Sequence, residues 1–158
     1  MGKKQTSKVF IYAGFAAIAV IIGVMVVLQV SNSRNLTFKQ SWDNLGFEVI
    51  SLTQEYQAEE RKWSDKQYDD AQMAGIIDVY SAKYQSLIDR AKALDTPERY
   101  AQARDLLVKA IETEKQSNEH FKAFLLTGDQ KEKDRSSDMF SLSLRYSAEA
   151  DAAIKAAG

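Results

Sequence analysis

Residues 42–63 read WDNLGFEVISLTQEYQAEERKW, and the spacing of the large side chains in this stretch decides the fold class. The residues at alternating three- and four-residue steps are Trp42, Leu45, Val49, Leu52, Tyr56, Glu59 and Trp63. Such steps return to one side of a helix, as in the seam of a coiled coil, so the stretch predicts about six turns of amphipathic helix. Only Glu59 interrupts the hydrophobic character of this side.

The same spacing recurs three more times toward the C-terminus. The second seam consists of Met73, Ile77, Tyr80, Tyr84, Leu87, Ala91 and Leu94. The third consists of Tyr100, Ala103, Leu107, Ala110, Glu114, Ser117, Phe121 and Phe124. The fourth and least hydrophobic seam consists of Ser136, Met139, Ser143, Tyr146, Ala150, Ala153 and Ala157. Four such seams predict four helices that each bury one side.

Turn signals separate the first three seams. Ser64 and Gln67 have the spacing of a capping box, which predicts that the second helix begins near residue 65. Thr96 and Pro97 are suited to the N-cap and to the first helical position, where no backbone N–H is needed, so they predict the start of the third helix.

Gly128 marks the predicted end of the third helix, because glycine readily adopts the left-handed backbone conformation found there. Asp129 and Glu132 are spaced as a capping pair for the fourth helix. The sequence therefore predicts an all-α fold in which residues 38–158 form an antiparallel up-down-up-down four-helix bundle. The predicted helices cover about 38–62, 65–94, 97–127 and 130–157.

Residues 9–30, VFIYAGFAAIAVIIGVMVVLQV, carry no charge and are long enough for a helix to cross about 30 Å of hydrocarbon. This predicts a single N-terminal transmembrane helix. Lys3, Lys4 and Lys8 precede it, so residues 1–8 are predicted to be a basic cytoplasmic tail and the bundle to be extracytoplasmic. A cleaved signal peptide is the disfavoured alternative, since its apolar core is only about 7–15 residues long. Residues 31–37 are predicted to be a tether, with helical continuation left open.

Composition excludes several classes of function. The 158 residues include no cysteine, which removes disulfides, thiolate zinc sites, iron–sulfur clusters and covalent c-type haem. Three of the 21 basic residues precede the span, so the remainder has 18 basic residues against 22 acidic ones. Nucleic acid is therefore not a predicted partner, because phosphate binding requires a dominant basic face.

His120 is the only histidine, and Met139 lies across the Gly128 turn at a comparable height. Together they are the candidate ligands of a non-covalent haem, although a lone histidine is more often a hydrogen-bonding residue on a helix flank. A di-iron site is excluded because Ser117, rather than glutamate, stands three residues before His120. We predict no metal site and no cofactor.

Glu59 and Glu114 occupy seam positions, where an unpaired carboxylate is unfavourable. With Tyr84 they are the candidate residues for binding a small polar ligand between helices, while the favoured explanation for both carboxylates is structural. Asn35 begins an Asn-Leu-Thr sequence and is a candidate for N-glycosylation. No nucleophile motif or phosphate loop is present, so we predict no catalytic residues and no enzymatic activity.

One span followed by an external four-helix domain resembles, in architecture over residues 9–157, the front end of chemoreceptors and histidine-kinase sensors. The resemblance implies an external sensory bundle, and signal transfer would then need another protein. The leading hypothesis is a membrane-anchored, non-enzymatic interaction module, such as an accessory or assembly subunit, with protein partners or further copies of itself in the membrane. A sensory bundle that acts through a partner is the second hypothesis, and a haem- or cofactor-carrying bundle is the third.

Overall fold

Residues 33–158 are described by a computed structural model, with side chains from Thr37 onward, and this part of the chain forms four helices and no strand. The elements are α1 (Ser33–Ser64), α2 (Asp70–Lys92), a 3₁₀ turn (Glu98–Tyr100), α3 (Ala101–Thr127) and α4 (Gln130–Ala156). The predicted all-α class is confirmed for these residues.

The first helix begins earlier than predicted. Because α1 starts at Ser33, residues 33–37 are helical, which is the alternative that the sequence left open for this part of the tether. The predicted basic tail at residues 1–8 and the predicted span at residues 9–30 lie outside the described residues. Within residues 33–158, none of the helices has both the length and the apolar composition needed to cross a membrane.

The turn between α1 and α2 differs from the sequence prediction. α1 ends at Ser64, and Lys66 adopts a positive φ of 65° in the turn. The predicted box of Ser64 and Gln67 is wrong, because Asp69 and Gln72 form the capping box of α2. The Gln72 amide donates to Asp69 Oδ1 at 2.7 Å, and the Asp69 amide donates to Gln72 Oε1 at 3.0 Å. Asp69 and Gln72 are three residues apart, as Ser64 and Gln67 are, so both pairs fit a capping box. Because the second pair forms it, α2 starts five residues later than expected.

The connection between α2 and α3 contains a tighter turn than predicted. Thr96 does not cap a helix, because its hydroxyl donates to the Leu94 carbonyl at 2.9 Å. Pro97 precedes the 3₁₀ turn, and its carbonyl accepts a hydrogen bond from the Tyr100 amide at 2.8 Å. This turn brings Tyr100 into the core, where its ring stacks on Phe38 with centroids 4.9 Å apart.

The prediction at the end of α3 is confirmed. Gly128 has a φ of 70° and its amide donates to the Phe124 carbonyl at 2.8 Å, as expected of a left-handed C-cap. Asp129 caps α4 by accepting from the Lys131 amide at 2.9 Å. Glu132 does not complete the predicted capping pair, because its carboxylate bonds to side chains described below.

Contacts at the two ends show that the helices alternate in direction. At one end, Phe38 near the start of α1 meets Tyr100 just before α3. At the other end, Trp63 near the end of α1 packs edge-on against Phe121 late in α3, with centroids 5.2 Å apart. The Trp63 indole also donates to Asp70 Oδ1 at the start of α2, at 2.8 Å. This arrangement is consistent with the predicted antiparallel four-helix bundle.

The core lies mainly among α1, α2 and α3, and α4 packs most extensively on α3. The large side chains with almost no exposed surface are Leu45, Met73, Ile77, Tyr84, Ile88, Tyr100 and Ile111. α4 buries only Ser143, Ala150 and Ile154, as its weak seam predicts. Its small residues permit close approach to α3, and Ser117 Oγ accordingly donates to the Ser136 carbonyl at 2.8 Å.

Candidate functional site

A group of polar residues lies inside the bundle, between the hydrophobic ends. We call Thr53, Tyr56 and Glu60 of α1, Tyr84 of α2 and Glu114 of α3 the polar layer. The three α1 residues follow one another at steps of three and four, so they lie on one side of that helix. The polar layer therefore joins three helices through their interior faces.

Glu114 is the centre of the polar layer. Only 7% of this residue is exposed, and its Oε1 accepts hydrogen bonds from Thr53 Oγ1 at 2.7 Å and from Tyr84 Oη at 2.8 Å. Burial raises the pKa of the Glu114 carboxyl, and the two hydrogen bonds offset this increase in part. The Thr53 hydroxyl also lies 3.0 Å from the Val49 carbonyl, so its single proton serves either acceptor.

Glu60, which is half-buried, adds a second carboxyl group to the polar layer. Burial and the negative charge of Glu114 raise the pKa of this half-buried residue to about 7, while Arg61 and the Tyr56 hydroxyl act in the opposite direction. Tyr56 is 3% exposed, and its hydroxyl has no well-formed hydrogen bond within the described part of the chain. Burial and both carboxyl groups raise the pKa of Tyr56, so its hydroxyl lies close to both.

Of the three predicted ligand-binding residues, the structure brings two together. Tyr84 and Glu114 hydrogen bond directly, but Glu59 does not join them. Lys62 donates to Glu59 at 2.8 Å, and this hydrogen bond lowers the pKa of the Glu59 carboxyl. Glu59 is therefore one half of an ion pair near the surface.

Thr53, Tyr56 and Glu60 are the members of the polar layer that the sequence did not single out as candidates, and Glu60 has a direct rival in Glu59. Steps of three and then four residues lead from Tyr56 through Glu59 to Trp63, and steps of four and then three lead through Glu60 to the same tryptophan. Both paths fit a helical seam equally well. The signal that separates them is Lys62, which stands three residues after Glu59 and offers it a partner outside the core.

The structure places the two candidate haem ligands apart. His120 Nδ1 lies 2.7 Å from Glu132 Oε2, and this contact links α3 to α4. The same carboxylate also binds Arg135, and the His120 hydrogen bond is the main cause of the lowered pKa of Glu132. Half-buried Met139 stands seven residues after Glu132, about 10 Å farther along the helix axis.

Two further predictions concern metals and glycans. Among residues 33–158, no group of three or more His, Cys, Asp or Glu side chains is arranged to hold a metal ion. The backbone of Asn35 belongs to α1, but its side chain lies outside the described residues. Its glycosylation remains a prediction.

A shallow groove of about 500 Å³ lies between α1 and α2, away from the polar layer. Its lining residues are Ser41, Asn44, Leu45, Phe47, Glu48, Arg90, Ala93 and Leu94. Phe47 is 66% exposed beside it, and Arg90 forms a two-pronged ion pair with Glu48, in which the Nη2–Oε1 distance is 2.7 Å. We call this feature the Phe47 groove.

No family model, curated protein or solved structure matches this chain.

Proposed function

We propose that this chain is a non-enzymatic, single-pass membrane protein whose extracytoplasmic helical bundle binds a protein partner, as an accessory or assembly subunit would. The uncharged stretch at residues 9–30 supports the membrane anchor, and Lys3, Lys4 and Lys8 support a cytoplasmic N-terminus. α1 begins at Ser33, three residues after that stretch. A bundle attached through so short a connection stays close to the bilayer, where membrane partners are found.

The Phe47 groove is the observation that supports binding of a protein. Phe47 is the most exposed of the large hydrophobic side chains in the described chain, and it shares the groove lining with polar residues that include the Glu48–Arg90 ion pair. An aromatic residue within a polar rim is the arrangement typical of interface hot spots. The partner that suits it presents an apolar side chain to Phe47 and polar groups to the rim.

A pair of photocrosslinking variants tests this proposal. A photoreactive phenylalanine analogue replaces Phe47 in the full chain, within intact membranes, and a matched variant carries the same analogue at Leu126. Leu126 is also exposed, at 62%, but it lies at the end of α3 and outside the groove. We expect one discrete crosslinked product from position 47 and none from position 126. Equal or absent crosslinking at the two positions would refute a docking role for the groove.

The anchor has a test of its own. The full chain should remain in the membrane fraction after alkaline washing, and protease added to the extracytoplasmic side should degrade the bundle. Release into the wash, or protection from protease while the membrane is intact, would refute the anchored, extracytoplasmic arrangement.

The polar layer favours a sensory bundle as the second candidate function. Buried hydroxyl and carboxyl groups from three helices could bind a small polar molecule between the helices. A ligand of this kind should raise the Tm of the full chain, and Glu114→Gln and Tyr84→Phe should both weaken the increase. A ligand whose stabilisation is unaffected by both substitutions would bind elsewhere.

A further inference from the structure

We infer that the polar layer is a proton-binding site, and that release of its proton loosens the packing of α1 against α2 and α3. This inference goes beyond the proposed function, because it needs no protein partner. It rests on two carboxyl groups on facing helices, and on a buried hydroxyl that has no well-formed hydrogen bond among the described residues. Within that part of the chain, Arg61 is the cation that acts on the pair, and it is exposed.

The charge of the Glu60 and Glu114 carboxyl groups is the first reason that the polar layer binds a proton. Glu114 is nearly inaccessible to water and hydrogen bonds only to the uncharged groups of Thr53 and Tyr84 in the described chain. Glu60 brings a second carboxyl close enough for their charges to interact. A carboxylate buried among uncharged groups resists a second negative charge close to it, so the pair of Glu60 and Glu114 retains a proton at a pH where exposed carboxylates have lost theirs.

The groups around Glu60, taken helix by helix, are the second reason. Its own helix contributes Tyr56 and exposed Arg61, and α3 contributes Glu114. α2 contributes Tyr80, whose ring packs edge-on against that of Tyr56, and the Tyr84 hydroxyl, which is already donated to Glu114.

α4 contributes no charge from its buried face, which consists of Ser143, Ala150 and Ile154. The carboxylate of Glu132 on the same helix is engaged by His120 and Arg135. Arg61 is thus the cation that acts on Glu60, and its exposure to solvent weakens that effect.

The buried hydroxyl of Tyr56 is the third reason. A phenol hydroxyl buried without a good partner is unfavourable, and native interiors contain few such groups. The Tyr56 hydroxyl lies near both carboxyl groups, so it can donate to whichever of them is ionised. Thr53 and Tyr84 already donate to Glu114, which leaves the Tyr56 hydroxyl as the donor for Glu60. None of these groups carries a positive charge, so they do not cancel the repulsion between two ionised carboxylates.

The packing of the helices determines what happens when the proton is lost. α1 meets α3 through side chains such as Thr53 on Glu114, and the two backbones make fewer close approaches than those of α3 and α4. Repulsion between Glu60 and Glu114 therefore acts across a contact with fewer close backbone approaches than the contact of α3 with α4. Loss of the proton should separate α1 from α3 before it disturbs the tightly packed pair of α3 and α4.

Thermal unfolding of the full chain in lipid nanodiscs, from about pH 4 to about pH 9, tests the effect on stability. The test compares the unmodified chain with Glu60→Gln, which is neutral at every pH, and with Glu59→Gln as the matched control. The folded pKa of Glu60 lies above its unfolded value, so its stabilisation is complete below 4.5 and lost as pH rises through about 7. Glu60→Gln should therefore gain Tm relative to the unmodified chain as pH rises, and Glu59→Gln should not.

A spectroscopic measurement detects the proton without reference to stability. Infrared difference spectra should show a protonated carboxyl band that disappears near pH 7, that is absent in Glu60→Gln and that persists in Glu59→Gln. In Glu114→Gln the band should disappear at lower pH, because the charge that raises the pKa of Glu60 has been removed. Amide hydrogen exchange at residues 53–60, compared at one pH above 7, should be faster in the unmodified chain than in Glu60→Gln.

The inference would be overturned if the band titrated identically in Glu60→Gln and the unmodified chain. It would equally be overturned if the pH profiles of Tm for Glu60→Gln and Glu59→Gln were parallel. Uniform exchange rates along α1 in both proteins would refute the loosening of that helix.

Discussion

Two tyrosines with equally inaccessible side chains should respond in opposite ways to loss of the hydroxyl. Tyr84 and Tyr100 are both 0% exposed. The Tyr84 hydroxyl donates to Glu114 at 2.8 Å, whereas the Tyr100 hydroxyl is buried without a hydrogen-bond partner in the described chain. Replacing each by phenylalanine removes the same atom from sites of equal burial, so the comparison isolates the hydrogen bond.

The expected change in the free energy of unfolding depends on the hydrogen-bond partner of each hydroxyl. A hydrogen bond to a carboxylate contributes about 1.5–3 kcal/mol, and a buried acceptor that loses its donor incurs a desolvation penalty. We therefore expect Tyr84→Phe to lower the free energy of unfolding by about 2 kcal/mol, or Tm by roughly 8 °C for a domain of this size. Tyr100→Phe removes an unsatisfied hydroxyl, and its unfolding free energy should be unchanged or higher.

Urea unfolding of the full chain in detergent micelles, followed by far-ultraviolet circular dichroism, measures both variants. A double-mutant cycle that adds Glu114→Gln should give a coupling energy with Tyr84→Phe of about 1 kcal/mol or more, and none with Tyr100→Phe. Equal losses in the two variants, or a larger loss in Tyr100→Phe, would show that ring packing and not the Glu114 hydrogen bond determines the response.

Three further sets of substitutions test the helix ends and the α3–α4 contact. Gly128→Ala should lower the free energy of unfolding by about 1 kcal/mol because φ is 70° there. Gly75→Ala, in exposed helix with no atom near the added Cβ, should raise it by up to about 1 kcal/mol. Chemical denaturation compares the two variants, and changes of the same sign would contradict the left-handed conformation assigned to Gly128. Asp69→Ala should lose about 1 kcal/mol through its N-cap, with Asp138→Ala, at an exposed position within α4, as the control. The folded pKa of Glu132 lies below its unfolded value, so the stabilisation that its carboxylate provides is present above pH 4.5 and lost as pH falls. Glu132→Gln should therefore lower Tm more at neutral pH than at about pH 3. A difference in Tm that does not change with pH would refute this.

Much of the fold could be predicted from the sequence, because the buried residues follow the three- and four-residue spacing that a helix requires. The fourth seam is the least hydrophobic of the four, and α4 accordingly buries three residues. The helix starts were harder to predict, since Ser64 and Asp69 both begin acceptable capping sequences. The choice between them depends on where α1 ends, and the Trp63 contacts with Phe121 and Asp70 fix that point in three dimensions.

The polar layer could be predicted only in part. Glu114 and Tyr84 belong to unambiguous seams, so both were identified before any contact was known. Glu60 and Glu59 fit the same seam, and only the Lys62 ion pair distinguishes them. Periodicity specifies the side of a helix to within about one residue, and a neighbouring charge decides which of two adjacent carboxylates enters the interior.

The order of partners along the chain has a consequence for protein synthesis. Phe38, Thr53 and Trp63 of α1 contact Tyr100, Glu114 and Phe121, which are translated much later. While a ribosome makes the intervening residues, the aromatic and hydroxyl groups of the nascent first helix have none of these neighbours. Its final docking is therefore a late event in biogenesis, and the interval before it is when a chaperone or protease would meet those groups uncovered.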